Sequence, residues 1–226
     1  MKRSAINDIL KAADAFIAGF RFALPPFAHL SPEALRASDH THIRDRRLGW
    51  DVTDYGGGDF ATMGLALFTL RNGTLAELQQ GRGMVYAEKL LISRVGQLSP
   101  MHTHAVKSED IINRGGGTLV VELFASSPDG RRDPSLPVTV TCDGGARTLP
   151  AGGKLKLAHG ESVTLRPGDW HAFWAEGADC LIGEVSTVND DETDNIFDPP
   201  LPRFTNVDED ASPWRLLVSD YRLHLA

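Results

Sequence analysis

Cysteine is almost missing from this sequence. Cys142 and Cys180 are the two present, and they form no Cys-x-x-Cys pair. That excludes a disulfide-framed scaffold and a zinc ribbon, and it fits two buried thiols in a reducing cytosol. Long apolar runs are lacking as well. Nothing approaches the roughly 20 residues that cross a bilayer. The positively charged start Met1-Lys2-Arg3-Ser4 is followed by Asn7, Asp8, Lys11 and Asp14, which break any signal-peptide core. There is no surplus of basic charge: 23 Lys and Arg stand against 30 Asp and Glu, a formal net charge of −7. A nucleic-acid partner would want a basic face, so none is expected, and no membrane partner either. No repeat of solenoid length is visible. These absences leave a soluble cytoplasmic protein that handles a small neutral or cationic molecule. The 226 residues fit one domain over 1–226. Within it we expect a helical extension (1–48), a β-barrel core (49–187) and a C-terminal extension or lid (188–226).

What is present is one helix and then many short strands. Ile6, Ile9, Leu10, Ala13, Phe16, Ile17 and Phe20 recur at steps of three and four. This predicts an amphipathic helix over 4–20 with Ser4 as N-cap, packed outside a sheet or across a subunit boundary. Ser31-Pro32-Glu33 predicts a second, short helix. From Gly49 the pattern turns to β. Strands are predicted at Trp50–Tyr55, at Gly64–Leu70 closed by the Asn72-Gly73 turn, at Tyr86–Arg94 and around His102. Glu109–Asn113 and Thr118–Phe124 read as two strands with Gly115-Gly116-Gly117 as a tight hairpin turn between them. Val138–Cys142 and Ala146–Leu149 read as an inserted surface hairpin. Leu155–Leu157, Ser162–Leu165, His171–Ala175 and Cys180–Thr187 complete the set. Short strands between Gly and Pro turns predict an all-β protein, a barrel or double-sheet jelly roll.

One stretch organises the chemistry. In His102-Thr103-His104 the two imidazoles fall on one face of a strand. Glu109 follows five residues later, and Pro167-Gly168-Asp169-Trp170-His171 offers a fourth ligand. Three imidazoles and a carboxylate suit Mn²⁺, Fe²⁺, Co²⁺, Ni²⁺ or Zn²⁺. If Glu176–Asp179 is a hairpin turn, His171 and Glu184 are opposed and share a face. The same arithmetic across Gly115-Gly116 sets Glu109 opposite Glu122, a lesser interior candidate. A second His-x-His, His40-Thr41-His42, lies among Asp39, Arg44, Asp45 and Arg46 with no carboxylate at the right offset. It reads as a polar surface segment.

The wider spacing adds specificity. Gly96, five residues, His102-x-His104, four residues, Glu109, six residues and Gly116 resemble the first motif of the cupins at every fixed position. Gly160, Pro167, Gly168 and His171 resemble the second. That match is one residue short between Pro and His, and Ala175 stands where Asn is usual. The resemblance implies a cupin-type double-stranded β-helix, a jelly-roll barrel, with the N-terminal helix and short flanking helices outside it.

Three further blocks narrow it. Gln97–His104, Lys107–Gly117 and Gly183–Asp191, running on to Thr193-Asp194-Asn195, are similar to the D-lyxose isomerase family over most of the chain. That resemblance implies a homodimeric, Mn²⁺-dependent aldose–ketose isomerase. Its members interconvert D-lyxose with D-xylulose and D-mannose with D-fructose. In that role Glu184 is the expected base, carrying a proton between C2 and C1 of a metal-stabilised enediol. Lys107 would donate to a sugar oxygen or sit on the rim, and Asp194 would bind a hydroxyl or relay a proton. Trp50, Phe27, His29, Trp170, Phe173 and Arg203 are candidates to line the sugar pocket. A hydride shift is the rival route. An Fe²⁺ dioxygenase and a non-catalytic sugar-binding cupin are the rival functions.

Overall fold

The computed structural model describes residues 1–225. The N-terminal apolar stripe forms α1 (Arg3–Gly19), which buries Ile6, Leu10, Ala13 and Ile17. They pack on the outer face of a sheet, among Trp50, Val52, Phe68, Leu90 and Ile92. Ser4 does not cap the helix as expected. It lies inside the first turn, and its backbone N–H and hydroxyl donate to Asp210 at 2.9 and 2.7 Å. The tail returns here because Arg3 is fully buried. Its guanidinium meets Asp220 at 2.9 and 2.8 Å and Glu209 at 2.9 and 2.6 Å. A buried guanidinium needs such paired acids, so one residue fastens both ends of the chain. The expected second helix is present as α2 (Pro32–Ala37), with the Ser31 hydroxyl accepting from Ala34 N–H at 3.1 Å. A third, α3 (Thr41–Asp45), follows it.

Then come β1 (Gly49–Thr53) and β2 (Leu65–Asn72). The Asn72-Gly73 pair does not close a two-residue turn. It leads into α4 (Leu75–Gln80), where Thr74 and Glu77 form a reciprocal capping box. The chain continues through β3 (Tyr86–Ser93), β4 (Ser99–Thr103), β5 (Glu109–Ser126), β6 (Arg132–Asp133), β7 (Val138–Cys142), β8 (Gly145–Leu149), β9 (Gly153–Leu157), β10 (Ser162–Leu165), β11 (Trp170–Thr187) and β12 (Ile196–Phe197). A short helix, α5 (Tyr221–His224), ends it.

Two predicted hairpins do not exist. Gly115–Gly117 and Glu176–Asp179 are bends within single long strands, and β5 and β11 pair with each other from end to end. The register shifts at the bends, between Glu176 and Cys180 and again at Leu181/Ile182. Each long strand therefore serves two layers. In one, Cys180–Thr187 pairs with β3 and Glu109–Ile112 with β10. In the other, Leu119–Leu123 pairs with β9, while His171 and Phe173 pair with β4. His171 and Glu184 are thus not cross-strand partners. They lie toward opposite ends of β11, and the bend turns both toward the space between the layers. Glu122 opposes Ala172 and Lys154 in the second layer.

The core fills the space between layers with Leu67, Leu91, Ile111, Leu119, Leu123 and Ile182, among others. The Val138–Cys142 hairpin belongs to this core and is not a surface insertion. Val138, Val140 and Cys142 are buried, and Thr141 pairs with Thr164. Strands β1 and β2 are buried on both faces, between this core and α1. Among the described residues no helix is long and apolar enough to cross a membrane.

Candidate metal centre

His102 lies in β4 and His104 just beyond it, so alternation sends both rings inward. His171 is the second residue of β11 and the register partner of His102. Glu109 opens β5. All four are buried, and one donor atom from each lies within 4.8 Å of all the others. The Nδ1 atoms of His102, His104 and His171 face the carbonyls of Pro100, Asp194 and Asp169 at 2.8, 2.8 and 3.1 Å. A carbonyl only accepts, so each Nδ1 carries the proton and each Nε2 turns a lone pair inward.

These donors fit a cation. His104 Nε2 is buried with no hydrogen-bond partner. Glu109 Oε1 stands 3.3 Å from His104 Nε2 and 3.1 Å from His171 Nε2. A carboxylate oxygen facing two lone pairs is repelled unless a positive ion lies between them. Burial first, then the neighbouring His171 and His104, holds His102 well below the ordinary imidazole range. Burial and then Lys107 lower His104. Burial would raise Glu109, but Lys107 overcomes it and holds the carboxyl well below its usual range. Neutral imidazoles with an ionised carboxylate are the form a divalent metal takes up.

Beside the donors runs a chain of buried charges. Lys107 Nζ lies 2.6 Å from Glu109 Oε2 and 3.1 Å from Glu184 Oε1. Burial would lower that ammonium, but Glu109 and Glu184 hold it above the ordinary lysine range. Lys89, which no sequence pattern had marked, opposes Glu184 in the β3–β11 register. Its Nζ is 3.3 Å from Glu184 Oε1 and 2.5 Å from Asn189 Oδ1. Asp191 follows at 3.8 Å, then Arg203 at 3.4 Å, whose Nη1 reaches Asp51 at 2.9 Å. The cavity over these groups measures about 30 Å³.

Of the residues expected to meet substrate, Phe173 and Arg203 line this pocket with Glu184 and Lys107. Trp50, Phe27 and His29 do not reach it, because they belong to the other side of the sheet. Trp50 packs edge-on to Phe68, and its indole N–H donates to Ala28 O at 3.0 Å. Phe27 covers Phe68 from outside, and His29 is half exposed near Asp14. Trp170 packs with Met101 and Ala172 away from the pocket. His40 and His42 stay on the surface around α3. Asp194 approaches the site from behind. Its carboxylate accepts the backbone N–H groups of Ala105, Val106 and Lys107 at 2.8, 2.9 and 2.8 Å, while its carbonyl holds His104. Asp191 and Asn195, from the block noted in the sequence, line the pocket, and so do Lys89 and Tyr55, which sequence reasoning did not single out. The available signal was alternation: Ala87, Lys89 and Leu91 share one buried face of β3.

A jelly roll with three histidines and a glutamate turned inward is a cupin with a metal-type donor set. The solved structures similar to it include two L-ribose isomerases. That of Acinetobacter sp. DL28, in complex with L-ribose, aligns over 87% of this chain and 92% of its own at 15% identity and a TM-score of 0.58. That of Cellulomonas parahominis, with L-psicose, aligns over 92% and 98% at 15% identity and a TM-score of 0.57. They share the fold. The D-lyxose isomerase family model matches residues 1–221. The D-lyxose/D-mannose isomerase of Serratia proteamaculans is 49% identical over 100% of both chains. That of Escherichia coli O157:H7 is 46% identical over 98% of this chain and 99% of its own. The chain belongs to the D-lyxose isomerase family, a family of sugar isomerases.

Proposed function

We propose that this chain is a divalent-metal-dependent aldose–ketose isomerase. Its substrates on this reading are D-lyxose with D-xylulose and D-mannose with D-fructose. The observation that carries the reading is the placement of Glu184. It stands outside the four-donor set, yet one ammonium, Lys107, bridges it to the donor Glu109. A carboxylate beside a metal site but not in it is what proton transfer between neighbouring carbons requires.

His102, His104, Glu109 and His171 would hold the ion. When bound, it would supply Lewis-acid stabilisation of the negative charge that develops on adjacent sugar oxygens. Glu184 takes the proton from C2 of the aldose and delivers it to C1, while the hydroxyl proton of O2 passes to O1, which gives the ketose. The ammoniums of Lys89 and Lys107 keep the Glu184 carboxylate in place and donate to the developing oxyanion side of the sugar. Arg203 and Asp191 offer partners to hydroxyls further along the chain. Phe173, Phe197, Leu67 and Leu91 keep the pocket wall apolar and limit water at the reacting carbons. Mn²⁺ is our first choice of ion, with Co²⁺, Fe²⁺, Ni²⁺ and Zn²⁺ as alternatives. A cytoplasmic homodimer completes the proposal, on the family resemblance.

The test uses metal-loaded protein and D-lyxose deuterated at C2. We expect D-xylulose to form and deuterium to wash out into solvent. Full retention of the label at C1 would replace proton transfer by a hydride shift. No ketose from D-lyxose or D-mannose with any of the five metals would reject the isomerase reading. Glu184→Gln should bind Mn²⁺ like the parent chain and lose at least about a hundredfold in turnover.

A further inference from the structure

Tyr55 holds a backbone conformation that large side chains rarely adopt. Its φ is +50°, in the left-handed region. The surroundings enforce it. Thr53 Oγ1 accepts the Tyr55 N–H at 2.9 Å, and the next carboxylate, Asp54, accepts the N–H groups of Gly56 and Gly58 at 3.1 and 3.2 Å. The Thr205 hydroxyl donates to that carboxylate as well. Strain of this kind persists only where several contacts impose it, and it gathers at ligand sites.

The ring it delivers is 4% exposed and lines the pocket. It packs edge-on against Phe197 at 5.5 Å between centroids, and Phe197 in turn covers the ring of His102 at 5.6 Å. Tyr55 therefore stands one aromatic layer from the metal-type donors. Its hydroxyl meets Ser99 Oγ at 3.2 Å. A phenol offers one donor and two acceptor sites, so this long contact leaves capacity for a ligand. Burial raises the phenol above its ordinary range, and nearby Arg203 offsets this only in part, so the hydroxyl keeps its proton. Ser99 and Arg203 also line the pocket, and none of the three residues forms a hydrogen bond or ion pair with Glu184 or Glu109.

We propose that Tyr55 is a substrate-binding residue whose hydroxyl, steadied by Ser99, hydrogen-bonds a sugar hydroxyl away from the two reacting carbons. This rests on the isomerase reading for the identity of the sugar. The chemistry recognised is a neutral polyol. Its consequence is register: a chain pinned at Tyr55 presents C1 and C2 to Glu184 and does not slide along the pocket.

The test compares the parent chain with Tyr55→Phe, both loaded with Mn²⁺. Calorimetry measures binding of D-arabinitol, a pentitol with the hydroxyls of reduced D-lyxose and no carbonyl. We expect Tyr55→Phe to bind it about tenfold more weakly, the loss of one hydrogen bond. Mn²⁺ affinity should stay within about twofold. KM for D-lyxose should rise by a similar factor of about ten, with kcat changed less. Equal binding of D-arabinitol by both proteins would overturn the inference, and so would a parent chain that binds no polyol. Weaker binding by Tyr55→Phe in a protein that isomerises none of the sugars would sustain the polyol site while the isomerase reading fell.

Discussion

Lys89 and Glu184 face each other across β3 and β11, with Nζ 3.3 Å from Oε1, and both are buried. A second ammonium, Lys107, reaches the same oxygen at 3.1 Å. Breaking a buried pair strands a charge, which costs about 3–5 kcal/mol when no partner remains. Here Lys107 remains, so Lys89→Met should cost about 3 kcal/mol, the low end. The double variant Lys89→Met/Glu184→Gln should lose less than the sum of the single changes, by about 1–3 kcal/mol. Urea unfolding of the four proteins measures that coupling. Strict additivity would mean that the pair does not act as one.

Asp194 was expected to touch the sugar, but its geometry is that of a clamp. Three N–H groups end on its carboxylate and His104 Nδ1 on its carbonyl. Partners behind a ligand typically matter about 10–100-fold in metal affinity. Asp194→Ala should weaken Mn²⁺ binding by that factor. Asp194→Asn should do less, because its amide oxygen still accepts while its NH₂ opposes one of the three donors. Calorimetric titration with Mn²⁺ decides between roles. A proton relay would leave affinity intact in Asp194→Asn and remove turnover alone.

His104 Nε2 has no partner of its own, so a cation should stabilise the fold markedly. Binding to the folded state alone adds about 2.7 kcal/mol at a concentration one hundred times Kd. Chelator-treated protein should therefore melt several degrees lower and recover with Mn²⁺. His104→Ala and Glu109→Ala should melt at one temperature whether Mn²⁺ is present or not. A metal-dependent rise in either variant would point to a different donor set.

The legible parts of the site were those with local spacing. His102, His104 and Glu109 lie within eight residues, and strand alternation is enough to bring the first two together. His171 was found by its turn residues. Glu184 was reached through a hairpin that is absent. A tight turn and a strand corner both call for glycine at positive φ, so local chemistry could not tell them apart. Lys89 and Tyr55 are brought in by long-range folding, and nothing nearby in sequence marks them, whereas Asp191 comes from the Gly183–Asp191 block, on a tail that folds back. Trp50 misled for another reason. With β1 and β2 covered on both faces, an apolar residue there is buried whichever way it points.

The glycine corner can be tested directly. Gly116 has φ +99°, and a Cβ there would lie 1.9 Å from the carbonyl oxygen of Asp179 on the facing strand. Gly177 also has positive φ, +82°, but a Cβ there would meet nothing within 4 Å. Gly177→Ala should cost about 1–2 kcal/mol from backbone conformation alone. Gly116→Ala adds steric overlap with backbone that cannot yield cheaply, for a total of about 3–5 kcal/mol. Thermal and urea unfolding compare them. A hairpin turn at Gly115–Gly117 would have made the two substitutions nearly equal.

Stability at low pH should be governed in part by Asp191. Burial would raise its carboxyl, but Arg203, Lys89 and Lys107 more than offset this and hold it far below the ordinary range. An unfolded aspartate titrates near about pH 3.9. A group depressed in the folded state contributes its full stability above that value and loses it as pH falls toward the folded pKa. Asp51, on the other side of Arg203, has the opposite sign: burial raises it, with Arg203 only partly compensating, so its ionisation costs stability as pH rises. The parent chain should therefore lose stability steeply below about pH 4, with Asp191 among the causes. Asp191→Asn should be about 3 kcal/mol less stable at pH 7, where it leaves Lys89 and Arg203 short of a partner. The gap to the parent chain should narrow as pH falls below about 4, because the unfolded parent then takes up a proton at Asp191 that the folded chain does not. Urea unfolding at pH 7, 5, 4 and 3 follows the gap. A difference that stays constant across that series would show that the Asp191 charge has no part in the acid limb.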